Sequence, residues 1–258
     1  MTTVNLALQD SWTEASRHLR IVPRNIELLL FSTIQPIMFV VLFVYVFGGS
    51  IQVAGYDNYD QFLLPGIFSQ SLVFNSAFTG VGLAEDLQKG LVDRLRSLPM
   101  ARSAVLIGRT VSDLVRNVFT FFVMLGIAFV IGFRFEGSLL GAAMATLLLL
   151  LFSYSLSWVQ ALIGLSVKSV EAANSAGFIW MFPVTFVSSA FVDPRTMPDW
   201  LEPVADANPF TIVTNAARSL YNGLDTGNDV WWTLLWSFGL IAVFATLATR
   251  KFDRSTSA

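Results

Sequence analysis

Six runs of about 20 mostly apolar residues, the length that carries one helix across a bilayer, recur at residues 28–47, 62–83, 105–132, 139–165, 172–192 and 231–249. Hydrocarbon offers the backbone no hydrogen-bond partners, so runs like these can settle in a membrane only as helices. The expected fold class is an all-α integral membrane protein with six transmembrane helices, forming a single domain over residues 1–258. Charged residues make up 13% of the chain, against about 25% in soluble domains, which agrees with that reading.

The polar stretches between these runs are short. The densest is LAEDLQKGLVDRLRSLPMAR, from Leu83 to Arg102. Leu83, Leu87, Leu91, Leu95 and Leu98 recur every three or four residues, one stripe of a helix. Glu85, Asp86, Lys89, Asp93, Arg94 and Arg96 fill its other faces. Pro99 ends it, because proline lacks an N–H and disfavours helical geometry in the residue before it. Such a polar face belongs at a membrane surface, turned to water or to a partner. The expected helix spans 84–98. A second amphipathic helix, at 4–22, carries Val4, Leu8, Trp12, Ala15, Leu19 and Val22 on one face and is expected to lie in the interface.

The second run is interrupted by Pro65, Gly66, Ser69, Gln70, Ser71, Asn75, Ser76 and Thr79. Polar residues at that depth face other helices or a cavity. The longest segment outside the runs, 193–230, holds Pro194, Pro198, Pro203 and Pro209. Proline suits helix starts, and two short helices are expected, at 198–205 and 209–221. Basic residues set the orientation. With the N-terminus inside, 13 Lys and Arg fall on the inner side and three (Arg134, Arg195, Arg218) on the outer. Both termini and the 84–98 segment are therefore expected in the cytoplasm, and 193–230 outside.

Several functions are excluded. There is no Cys and a single His, His18, so thiolate chemistry and a multi-histidine metal site are absent, and no catalytic or metal residue is expected. None of the three Lys (Lys89, Lys168, Lys251) follows a Gly, so the chain has no P-loop and no nucleotide site of its own. Nucleic acid is not an expected partner. Membrane lipid is. An ion-coupled carrier would need acidic groups buried in mid-span, whereas Glu27, Asp113 and Glu171 lie near the expected inner surface.

Three stretches resemble one known family. They are VPRNIELLLFSTIQPIMFVVLFVYVFGG (Val22 to Gly49), FLLPGIFSQSLVFNSAFTGVGLAEDLQKGLVDRLRSLPMARSAVLIGRT (Phe62 to Thr110) and SSAFVDPRTMPDW (Ser188 to Trp200), with Ala207-Asn208-Pro209 after the last. Together they resemble permeases of type-2 ATP-binding cassette exporters, of the daunorubicin-resistance kind common in actinobacteria. The resemblance implies a multi-pass subunit of a bacterial plasma membrane that pairs with a second permease copy or a paralogue. It also implies two separate ATPase subunits that bind ATP and Mg. By position it makes 84–98 a coupling helix, with Glu85, Asp86, Lys89, Asp93, Arg94 and Arg96 facing the ATPase.

Two further sets of residues are expected to carry function. Gln70, Phe74, Asn75 and Phe78 on the second span, with Asn174, Phe178, Met181 and Phe182 on the fifth, are candidates for a substrate path, since aromatic and Met surface broken by amides suits amphipathic ligands. Pro198, Trp200, Asn208 and Pro209 are candidates for an extracellular gate in a helical hairpin. The expected function is ATP-driven export of a drug, lipid, glycolipid or polyketide. The alternative is an ATP-independent carrier or channel for hydrophobic compounds.

Overall fold

The computed structural model describes residues 34–35, 37–47, 59–90 and 102–254. The expected interfacial helix at 4–22, the start of the first span and residues 91–98 lie outside them. The described residues form helices α1 (Ile37–Val46), α2 (Tyr59–Gln88), α3 (Arg102–Ile131), α4 (Leu139–Gly164), α5 (Val170–Phe186), α6 (Glu202–Asp206), α7 (Pro209–Asn222) and α8 (Asp229–Arg254). A 3-10 turn at Pro194–Thr196 lies between α5 and α6, and α1 ends in π-helical geometry over Phe43–Phe47. No strand occurs among the described residues.

Four helices, α2, α3, α4 and α8, are long and apolar enough to cross a membrane. α5 is shorter than the 172–192 span expected for it. It holds 17 residues, about 26 Å at 1.5 Å per residue, and stops at Phe186, three residues beyond its internal Pro183.

α2 is the axle of the bundle. Of its apolar window 89% is buried, against 11% for α8, so α2 is wrapped by other helices while α8 shows Trp231, Trp232, Leu235 and Phe238 to the surroundings. Lipid tails are as apolar as leucine, so helices in a membrane gain from close packing and interhelical hydrogen bonds rather than from hydrophobic burial. α2 uses both. A Cβ on Gly80 would press on the Gln160 carbonyl of α4, and one on Gly164 would collide with the Gly80 backbone; the α2–α4 crossing is therefore backbone against backbone. About two turns along, Asn117 Nδ2 on α3 donates to Ser153 Oγ on α4 (2.8 Å), and that hydroxyl donates to the Leu72 carbonyl on α2 (2.7 Å).

Pro65 sits inside α2 and cannot donate to the carbonyl four residues back, at Gln61. α7 fills the gap, with Asn222 Nδ2 donating to Gln61 O at 3.3 Å. Beside it, Arg218 Nε donates to Phe62 O (2.8 Å) and its Nη2 to Ser189 O (2.7 Å), with the guanidinium over the Phe62 ring at 3.8 Å. Arg218 stands among the three basic residues that the orientation count puts on the outer side, yet it is 3% exposed and pins α7 to α2.

Phe68, Phe121, Phe133, Phe135 and Tyr221 close this end of the bundle, with Phe135 stacked on Tyr221 at 5.2 Å. The α3–α4 loop lies over them, the Glu136 and Gly137 amides both donating to Tyr221 O. Gly223, at φ +68, caps α7 in the left-handed region, where glycine carries no steric penalty.

Candidate functional site

α2 carries two candidate sites, one at its Gln88 end and one along its middle. At the Gln88 end the helix continues straight out of the apolar span. It stops at Gln88, with Gly90 at φ +63 just beyond, a left-handed position that ends helices. Glu85, Asp86 and Lys89 thus belong to the last turns of α2 and its cap, not to the start of a separate 84–98 helix. Asp93, Arg94 and Arg96 lie outside the described residues. Leu83 is buried in a second apolar cluster with Leu106, Trp158, Leu165 and Phe252, and Leu87 packs against it.

The charges here divide into two groups. Lys89 and Glu85 pair on the surface at 3.3 Å, with 70% and 46% of their side chains exposed. An exposed i,i+4 pair of this kind contributes little to stability. Asp86 instead turns inward to Arg109 on α3, at 3.5 Å, and so departs from the outward, partner-facing position expected for it. Arg109 also bonds Asp113 (3.3 Å), and Asp113 bonds Arg116 (2.9 Å). Asp113 and Arg116 are 3% and 4% exposed. Buried charges are costly unless paired and hydrogen-bonded, and these are. Arg109 donates to Phe78 O and Arg116 to Asn75 O, each at 3.4 Å. Gly82 makes room for the Arg109 guanidinium, which a Cβ there would strike. The sequence points to an Asp113–Arg116 pair by their spacing of three, and Arg109 stands four residues before Asp113 on the same helix; the link from Arg109 to Asp86 crosses between helices and has no local signature.

Along the middle of α2, Gln70, Phe74 and Asn75 are buried and Phe78 is half-buried. Phe74 meets Phe178 edge-on at 5.6 Å and Phe182 at 5.2 Å, so the two helices expected to share a substrate path do meet through their rings. Met181 is buried, its sulfur accepting from Gln160 Nε2 at 2.8 Å. Asn174 and Phe182 are exposed on α5, and Asn174 is not brought to the α2 amides. α1, with Ile34 and Gln35 before it, supplies a wall that the sequence reading did not assign. Ile34, Gln35, Met38, Phe39 and Leu42 line a groove of about 410 Å³ with Phe78. Gln35 and Phe39 also border a notch of about 10 Å³ beside Gln70, Ser71, Phe74 and Asn75.

Of the residues expected to form a gate, Pro198 and Trp200 are exposed. Asn208 ties elements together. Its Nδ2 donates to Val184 O and Val187 O, both at 2.6 Å, and its Oδ1 accepts from Phe210 N at 2.9 Å. One side chain thereby caps the end of α5 and the start of α7, where Pro209 occupies the first position. α6 begins at Glu202, four residues later than expected; residues 198–201 form a turn instead, Leu201 N donating to Pro198 O at 2.7 Å.

Residues 11–222 match the ABC-2 type transporter family. The chain is 34% identical over 251 residues to the daunorubicin resistance ABC transporter permease protein DrrB1 of Streptomyces coeruleorubidus, covering 97% of this chain and 87% of that one. It is 24% identical over 226 residues to the probable doxorubicin resistance ABC transporter permease protein DrrC of Mycobacterium tuberculosis, covering 88% and 82%. It is 23% identical over 197 residues to the probable multidrug ABC transporter permease YbhR of Escherichia coli, covering 76% and 52%.

Proposed function

The chain belongs to the ABC-2 type transporter family, as a multi-pass membrane permease, and from that premise we propose that it exports amphipathic or hydrophobic molecules, driven by two separate ATPase subunits. The match to permeases named for drug resistance over nearly the whole chain is the observation that carries the reading. The chain itself binds no nucleotide in this scheme, since its sequence has no P-loop; ATP and Mg belong to the partner. In this scheme the chain crosses the membrane six times, α1 belonging to the first crossing and α5 to the fifth. Both termini are cytoplasmic, on the distribution of basic residues. The chain works as a pair, with a second copy or a paralogue.

In this scheme Glu85, Lys89, Asp93, Arg94 and Arg96 meet the ATPase, and Asp86 passes motion inward through Arg109 to Asp113 and Arg116. The chain of ion pairs supports this, because it joins the charged end of α2 to the buried middle of α3. Gln70, Phe74, Asn75, Phe78, Phe178, Met181 and Phe182 line the path of the cargo, with Asn174 near its inner mouth. Pro198, Trp200, Asn208 and Pro209 belong to an outer helical hairpin that gates release.

Mild-detergent capture of the tagged chain from its native membrane, with partners identified by mass, tests the assembly. A stoichiometric ATPase is expected. Its absence even after crosslinking would turn the reading to an ATP-independent carrier, whose export would persist in vesicles depleted of ATP. Arg94→Glu is expected to leave the protein in the membrane and ATP hydrolysis running while export is lost.

A further inference from the structure

The middle of α2 holds an energetic anomaly. Gln70 and Asn75 are 2% and 5% exposed, yet Gln70 Nε2 and Asn75 Nδ2 have no hydrogen-bond partner among the described residues. A buried donor left unsatisfied forfeits its hydration with nothing in return. Ser69 and Ser76 on the same helix avoid this by donating to their own backbone, at Pro65 O and Val73 O. The two amides instead line the notch, whose volume of about 10 Å³ approaches the room that a single water-sized atom group needs. The notch shares Gln35 and Phe39 with the adjoining groove of about 410 Å³, whose remaining walls are Ile34, Met38, Leu42 and Phe78.

Among the described residues, neither wall contains a charged side chain. The nearby Arg116, 5.3 Å behind the Phe78 ring, is committed to Asp113. A cationic head group therefore finds no carboxylate at the notch and a phosphate finds no free cation. Two N–H donors ask for an acceptor. A groove of this size lies at the lower end of small-molecule pockets and fits one slender apolar body better than a two-chain phospholipid.

We infer that the notch and groove between α1 and α2 form a recognition site for an uncharged, single-bodied amphiphile, whose carbonyl, ester or hydroxyl oxygen accepts from Gln70 and Asn75 while its apolar part lies along Phe39, Met38 and Phe78. The inference rests on the permease reading and adds to it the chemistry of the cargo and the participation of α1.

The test uses the full-length chain in phosphatidylcholine nanodiscs, photolabelled with glycerol monolaurate carrying a diazirine on its acyl chain. Labelling is expected on α1 and on α2 between Gln70 and Phe78. Unlabelled glycerol monolaurate should suppress it at a concentration about tenfold below that needed for dodecyltrimethylammonium, the difference of one well-made hydrogen bond. Gln70→Leu and Asn75→Leu should each weaken labelling about three- to tenfold, while their unfolding temperatures stay level or rise, since each removes an unpaired buried donor. That split separates a binding role from a structural one. Unchanged labelling in both variants, equal suppression by the ammonium compound, or a phospholipid found in the groove by native mass spectrometry would each overturn the inference. If labelling fails while the chain still captures its ATPase, only this site falls; if no ATPase is captured, the reading beneath it falls as well.

Discussion

Arg109 on α3 reaches Asp86 on the last turn of α2 at 3.5 Å, across 23 positions of sequence. Both side chains are mostly buried, at 16% and 17% exposure, so the pair is shielded from salt better than the exposed Glu85–Lys89 pair. Asp86→Asn keeps the shape and removes the charge, and Arg109 retains Asp113. The expected result is an assembled complex that still hydrolyses ATP but moves about five- to tenfold less cargo per ATP, the size of a modest coupling energy. Simultaneous assay of hydrolysis and export in proteoliposomes reads it. A proportional loss of both would mean that Asp86 supports folding alone.

The crossing of α2 and α4 tolerates no added atoms. Gly164→Ala sets a Cβ against the Gly80 backbone, closer than real Cβ atoms approach, and the helices must separate. Overpacking of this kind costs about 1–3 kcal/mol. Thermal unfolding of the purified chain should show the loss. Gly126→Ala on α3, where a Cβ meets nothing, should leave stability level or raise it, as Ala is the better helix former.

Asn208 is a cap for two helices at once. Asn208→Ala removes three hydrogen bonds, and loss of a helix N-cap alone costs about 0.5–2 kcal/mol. Faster hydrogen exchange is expected in two separate stretches, the first turn of α7 and the backbone near Val187, with α8 unchanged. Acceleration in α7 alone would mean that the Val184 and Val187 carbonyls find other partners.

The turn at Pro194–Thr196 carries a pH signature. The hydrogen bond from Arg195 holds the Asp193 carboxyl below its ordinary range, partial burial opposing it. A carboxylate whose folded-state pKa is depressed stabilises the folded turn when ionised. That contribution is complete above the unfolded value of about 3.9 and fades as pH falls through the lower folded value. Limited proteolysis between Ala190 and Trp200 should therefore be flat down to about pH 5 and rise below pH 4, close to the unfolded-state carboxylate value. Asp193→Asn should cleave faster at neutral pH and lose the acid dependence.

The helical elements were legible because their signals are local. Apolar run length found α2, α3, α4 and α8, and Pro209 placed the start of α7. The end of α2 was less legible. The leucine stripe continues smoothly past Lys89, and the glycine that stops the helix looks in sequence like one more small residue. The length of α5 was overestimated because residues 187–192 are apolar yet leave the helix after Pro183. The contact of Phe74 with Phe178 joins two helices whose aromatic and amide residues mark them, in sequence, as candidates for a substrate path. Arg218 was not legible. In sequence it is an outer-side charge, and its buried role depends on the carbonyls of Phe62 and Ser189, just as Asn222 beside it depends on the Gln61 carbonyl that Pro65 cannot serve, all far away in sequence.

Those carbonyls also say which parts can move. If α7 swung away from α2, the Gln61 carbonyl, which Pro65 cannot serve, would be stranded in an apolar end, and Arg218 would lose its seat over Phe62. The two helices are therefore one moving part, a pillar with its bracket attached. Relative motion of helices is easier along a different seam, and the seam that offers rings and side chains instead of backbone is the one where α1 and α5 lean on Phe74 and Phe78.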